Sequence, residues 1–162
     1  MTSEVDTNAD LGFASAHSLQ QDLAQGTISS QELVHALIER VDKVDQGPNG
    51  LHSILAINQD AEDQASALTE SQKTGRLAGM PVLIKDNIEA VGLPGTAGSL
   101  ALQGRTVTQD AALVARLRAN GAIILGATNL SEWANIRSSK STSGWSAVGG
   151  LTANPWIYAH SA

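Results

Sequence analysis

Lys85 is the residue in this chain that its neighbours best prepare for chemistry. It ends the short apolar run Pro81-Val82-Leu83-Ile84, which reads as a buried strand bounded by turn residues. In open α/β sheets, ligands bind outside the carboxyl ends of strands, so a lysine delivered there marks a candidate site. Three roles are open to it: a solvated strand-end lysine, an anion clamp for a carboxylate or phosphate, or a general base. A base must be neutral, and desolvation at a buried strand end is what lowers an ammonium pKa. Asp86 would oppose that change if it paired with Lys85. Successive strand residues point to opposite faces, however, so Asp86 is free to cap or brace the following loop. Lys85 is therefore expected at the carboxyl end of a central strand, with its ammonium facing a cleft.

The other chemistry-bearing residues point to fewer mechanisms. The glycine loops at 92–98 and 144–150 match neither G-x-G-x-x-G nor G-x-x-x-x-G-K-[ST], and read as turns or places of close backbone approach. Ser138, Ser139, Ser141 and Ser143 form a polar loop, with no His and acid pair nearby in any recognised hydrolase order. Trp133 and Trp145 are candidate walls of a pocket for an apolar substrate. The four histidines have no close metal-ligand spacing and there are no cysteines, so no metal site, disulfide or thiol chemistry is expected.

These residues need elements to position them. Residues 15–25 read as a helix stopped by Gly26. Ser29-Ser30-Gln31-Glu32 is a capping box opening a second helix, with Leu33, Leu37, Val41 and Val44 on one stripe. Leu51–Ile57 reads as a strand, and Asn58 as the cap of a third helix reaching about Thr74, with Ala61, Ala65 and Leu68 inward. After the lysine strand, Asp110 is expected to cap a helix that ends at Gly121. Ala122–Ala127 reads as a further strand, and Asn129-Leu130-Ser131-Glu132-Trp133 as a strand end followed by a helix start. Strand, helix and strand at this spacing imply α/β architecture, with parallel strands covered by helices.

Composition bounds the rest. At 162 residues, with 42% apolar and 16% charged residues, the chain is globular in type and one domain is the default. A net charge of −6 with scattered basic residues argues against nucleic acid as a partner. The acidic N-terminus is no secretory signal, and no apolar run approaches the roughly 18 residues that span a bilayer. A cytoplasmic protein without a membrane partner is expected.

Taken together, GRLAGMPVLIKDNI (75–88), GLPGTAGS (92–99), DAALVARLRANGAIILGATNLSEWA (110–134) and GGLTANPW (149–156) resemble the N-terminal half of the amidase signature family. The stretch NLSEWANIRSS…SGWSAVGG is closer to its peptide-amidase-like branch than to its transamidosome-subunit branch. The latter carries an acidic-Glu-Phe-Ala-Met-Gly pattern from which Trp133-Ala134-Asn135 departs. The resemblance implies a mixed, mostly parallel sheet covered by helices, stopping before the family's catalytic Gly/Ser-rich segment. Residues 1–14 would be a flexible tail and 15–162 the N-terminal portion of the domain.

The family hydrolyses carbon–nitrogen bonds of linear or peptide amides through a Ser–cis-Ser–Lys triad, without a cofactor or metal. Of that triad only Lys85 matches. Trp133, Ala134 and Asn135 fall where substrate binding is expected. Ser161 is nearest in position to the bridging serine but lacks its flanking glycines. The resemblance therefore implies an amidase fragment carrying only the lysine, inactive alone, with the remainder of the domain C-terminal to Ala162. Two rival readings stand beside it: a truncated, non-catalytic binding domain, and the amide-transfer subunit of a glutamine-dependent amidotransferase.

Overall fold

A short polar sequence opens each early helix. The computed structural model describes residues 11–136 and 138–156. Helix α1 (Ala16–Gln25) is capped by Ser15, whose hydroxyl accepts the Ser18 N–H, and Gly26 closes it. The first ten residues of the expected tail lie outside the described residues, while Leu11 and Ala14 pack against the Leu19, Leu33 and Met80 cluster. Helix α2 (Ser30–Val44) opens on the expected capping box: Ser29 Oγ accepts the Glu32 N–H at 3.1 Å, and Glu32 Oε2 accepts the Ser29 N–H at 2.8 Å.

The inward stripe of α2 is Leu33, Val34 and Ala36 with half-buried Leu37, whereas Val44 is exposed. The neighbouring Asp45 takes the inward position instead. Its carboxylate accepts the N–H groups of Ser53 (2.8 Å) and Ile54 (2.9 Å), tying the end of α2 to the start of strand β1 (Ile54–Ile57).

The single helix expected from Asn58 to Thr74 is two short ones, α3 (Ala61–Ser66) and α4 (Glu70–Lys73). Thr69-x-x-Gln72 is itself a capping box and starts a new helix, its two backbone–side-chain bonds competing with continuation of α3. Asn58 caps neither. Its side chain donates to the Ile124 carbonyl at 2.8 Å and accepts the Asp60 N–H at 3.2 Å. Ala61 and Ala65 are buried and Leu68 packs beside them, as the pattern requires.

Strand β2 (Pro81–Lys85) is followed by a long loop with a 3₁₀ turn at Leu100–Leu102, then helix α5 (Ala112–Ala119) and strand β3 (Ile123–Thr128). Asp110 does not cap α5. Its carboxylate accepts the Val91 N–H (2.7 Å) and the Arg118 Nε–H (3.0 Å), long-range partners that outbid the local cap. A small antiparallel hairpin, β4 (Trp145–Ser146) and β5 (Gly150–Leu151), lies in the segment without sequence periodicity.

The main sheet is mixed, in the order β1–β3–β2. Strands β2 and β3 are parallel, as the strand–helix–strand spacing implies, and β1 runs antiparallel to β3. Residues 75–80 explain the parallel pair. Leu77 and Gly79 donate to the carbonyls of Asn120 and Gly121, both at 2.9 Å, so β2 and β3 must start side by side. Strand β3 is covered on both faces. Ile123 and Leu125 pack with Val34, Ala61 and Ala65, while Ile124 and Ala127 pack with Val114, Ala90 and Leu93. Among the described residues, no helix is long and apolar enough to cross a membrane.

Candidate active site

Parallel pairing brings the carboxyl ends of β2 and β3 together. Lys85 lies opposite Thr128, and the Asp86 N–H donates to the Thr128 carbonyl at 3.1 Å. Strand alternation then separates neighbours. Ile84 and Asp86 are buried at 4% and 1% exposure, while Leu83 and Lys85 share an exposed face. Lys85 and Asp86 form no ion pair, and no described residue hydrogen-bonds to the Lys85 ammonium.

The carboxyl-end position of Lys85 is thus as expected, but two parts of the expectation need correction. Strand β2 lies at the edge of the described sheet rather than at its centre, and the lysine is open. The reason is coverage: the α2 and α3 layer packs over β3, leaving Leu83 at 38% exposure on the face that carries Lys85.

Asp86 braces the following loop. Its Oδ2 accepts the Thr96 N–H at 2.9 Å and also the Thr96 hydroxyl, and its carbonyl accepts the Ala97 N–H at 3.0 Å. Thr96 Oγ1 in turn accepts the Gly98 N–H at 3.1 Å. The braced loop holds the segment after β3 at two points. Ala97 O accepts the Trp133 N–H (3.0 Å), and Gly98 O accepts the Val148 N–H (3.2 Å).

The helix start expected at Ser131–Trp133 is a 3₁₀ turn, Glu132–Asn135, of unusual hand. Trp133, Ala134 and Asn135 have φ of 49°, 52° and 65°, all left-handed. Each such residue costs roughly 1–2 kcal/mol and persists only where surrounding contacts offset that cost, and such strain clusters at ligand sites. Here the Ala97–Trp133 bond and a 2.8 Å bond from the Ala134 N–H to the Ser131 carbonyl are such contacts. Against the turn lies a cavity of about 330 Å³ lined by Trp133, Asn135, Trp145, Glu132 and the 138–142 loop. Trp133 and Trp145 form its apolar part, as their sequence positions suggest. Ala134 and Lys85 do not line it; Lys85 connects to it through the Asp86–Ala97–Trp133 backbone chain.

Sequence reasoning missed one polar knot beneath this surface. Ser146, fully buried, donates to Asn129 Oδ1 at 2.7 Å and accepts the Gly149 N–H at 2.9 Å. The Asn129 amide donates to Thr152 Oγ1 (3.0 Å) and to the Gly150 carbonyl (3.1 Å). Asn129 directly after an apolar strand was the available signal. Ser99 is likewise buried, so neither serine is presented for attack. Ser161 lies outside the described residues. No cluster of His, Cys, Asp or Glu among the described residues is arranged to hold a metal.

Comparison with known proteins identifies the family and the fold. The sequence profile of the Amidase family matches residues 32–162. A probable amidase of Arabidopsis thaliana is 41% identical over 137 residues, covering 80% of this chain and 26% of its own length. One subunit of the glutamyl-tRNA(Gln) amidotransferase of Deinococcus radiodurans is 32% identical over 147 residues, covering 89% of this chain and 29% of its own. Among solved structures, native peptide amidase from Stenotrophomonas maltophilia superposes with a TM-score of 0.83 at 41% identity, over 92% of this chain and 31% of that one. The peptide amidase PAM bound to the competitive inhibitor chymostatin superposes with a TM-score of 0.86 at 42% identity. The chain thus spans about a quarter to a third of the length of the proteins it matches.

Proposed function

The chain belongs to the amidase family, and on that premise we propose that it is the N-terminal portion of a hydrolase of linear or peptide carboxamides, with Lys85 as the base of a Ser–cis-Ser–Lys triad. The observation that carries the reading is the position of Lys85: the carboxyl end of β2, next to Asp86, which braces the 96–98 loop. The similarity to peptide amidases supports the substrate class.

In this mechanism Lys85 Nζ takes a proton from a bridging serine, which takes one from the nucleophilic serine. The alkoxide attacks the amide carbonyl, the nitrogen leaves with a proton returned along the same path, and water hydrolyses the acyl-enzyme. Backbone N–H groups beside the nucleophile hold the oxyanion. Both serines come from the part of the domain that this chain does not span. Trp133 and Asn135 form one wall of the substrate pocket, with Ala134 in the backbone turn between them. The protein acts in the cytoplasm, with neither nucleic acid nor membrane as partner.

The similarity to the glutamyl-tRNA(Gln) amidotransferase supports a second reading, glutamine-dependent amide transfer. Ammonia release by the full-length protein separates the two. Hydrolysis of a peptide C-terminal amide, with no partner protein present, is expected. Turnover of glutamine alone, and only when partner proteins and an acyl acceptor are added, would replace hydrolysis with transfer. No turnover of either would leave the non-catalytic binding domain.

A further inference from the structure

Asp86 is a buried carboxylate that the mechanism above leaves unused. It is 1% exposed, and its Oδ1 has no hydrogen-bond partner among the described residues. Leaving one carboxylate oxygen unpaired in the interior is costly, so the site retains the group for what Oδ2 does. That oxygen takes both the N–H and the hydroxyl of Thr96, itself 1% exposed. The Asp86 main chain fixes two more partners, Thr128 through its N–H and Ala97 through its carbonyl. One residue thereby joins the ends of β2 and β3 to the 96–98 loop. Ala97, held at a left-handed φ of 51°, passes the constraint to the Trp133 N–H, and Gly98 passes it to Val148.

We propose that Asp86 is a positioning residue whose carboxylate locks the Thr96–Gly98 loop and so sets the pose of the Trp133–Asn135 turn relative to Lys85. The lock is built from local geometry. As part of catalysis it rests on the reading of Lys85 and Trp133 given above. A carboxylate suits the task because one oxygen can accept two donors from the same threonine, and charge-assisted bonds are shorter and stronger than neutral ones. A buried group held through Oδ2 and both of its backbone polar groups also has little freedom to let the turn drift, and a drift of about 1 Å in a substrate-positioning wall costs on the order of 10²-fold in rate.

The test uses the full-length protein with Asp86→Ala and the milder, near-isosteric Thr96→Val. Amide hydrogen exchange by mass spectrometry reads the lock without requiring activity. Both variants are expected to lose about tenfold or more protection in peptides covering 96–98 and 133–134, with α5 (Ala112–Ala119) unchanged. The effects should not add in the double variant, because the two side chains form one bond. In amide hydrolysis, KM should rise more than kcat falls, the reverse of a lesion at the base. Unchanged protection at 133–134 in both variants, or an equal loss across α5 and β3, would overturn the lock. Lost protection at 133–134 with unaltered KM and kcat would keep the lock and remove its catalytic role. An absence of amidase activity in the parent protein would count against the proposed function alone, since the exchange result stands by itself.

Discussion

Replacing Gly98 with alanine separates two reasons for a glycine in the Thr96-Ala97-Gly98-Ser99 loop. Gly98 has φ +75°, where any L-residue is strained by about 1 kcal/mol or somewhat more. An added Cβ would also lie 2.7 Å from Ser146 Cβ and 3.3 Å from both Glu132 Cα and Leu130 Cδ2. Ser146 is fully buried in its bonds to Asn129 and Gly149, so it has nowhere to move. Overpacking of this kind costs roughly 1–3 kcal/mol. Gly104 is the matched control, with φ +81° and nothing within 4 Å of the added Cβ. The entropy that alanine removes from the unfolded chain is common to both variants and cancels in their difference. Gly104→Ala should therefore cost about 1 kcal/mol and Gly98→Ala about 2–5. With a urea m-value of about 1–3 kcal/mol/M, the midpoints of the two variants should differ by about 1 M. The assay is urea unfolding followed by tryptophan fluorescence. Midpoints that coincide would show that the 96–99 loop does not pack against Ser146, and would refute the coupling of that loop to the segment after β3.

Two further predictions test the frame around the site. Asp45→Ala leaves the Ser53 and Ile54 N–H groups without their acceptor and should destabilise by about 3–5 kcal/mol in the same assay, with Asp45→Asn costing less. His35, on α2, hydrogen-bonds Glu62 of α3 at 2.9 Å with Glu39 at 3.7 Å, and the Glu62 carboxylate holds its pKa above the ordinary 6.5. Because the folded value is raised, this stabilisation is complete below the unfolded value and is lost as pH rises through the folded one. Melting temperature should thus fall slightly between pH 6 and pH 8.5. The fall should be absent in His35→Gln and weakened by salt, since the pair is exposed. An equal fall in His35→Gln would assign the pH dependence elsewhere.

The sequence was most legible where structure is local. Ser15, Gly26 and the Ser29–Glu32 box act within one helical turn of themselves, and each does what its type implies. It was less legible where a distant partner competes. Asp110 looks like a cap but is taken by Val91 and Arg118, and the Thr69–Gln72 box splits a helix that apolar spacing alone would continue. An apolar run announces a strand but not its neighbours, so the edge position of β2 and the antiparallel β1 were out of reach. At the candidate site, type and position single out Lys85 and Trp133 as residues to test. The left-handed backbone at 133–135 could not be read this way, because Trp133 and Ala134 rarely adopt it and their partner Ala97 is distant in sequence.

The central claim is that Lys85 acts as the base of amide hydrolysis, and steady-state ammonia release by full-length Lys85→Ala tests it most directly. A missing general base costs roughly 10²–10⁴-fold in turnover. The account predicts a loss of that size in kcat with KM for a peptide amide little changed, because a base acts in the chemical step rather than in substrate binding. Turnover within a few-fold of the parent protein, measured on folded variant, would contradict it and make Lys85 a bystander at the end of β2.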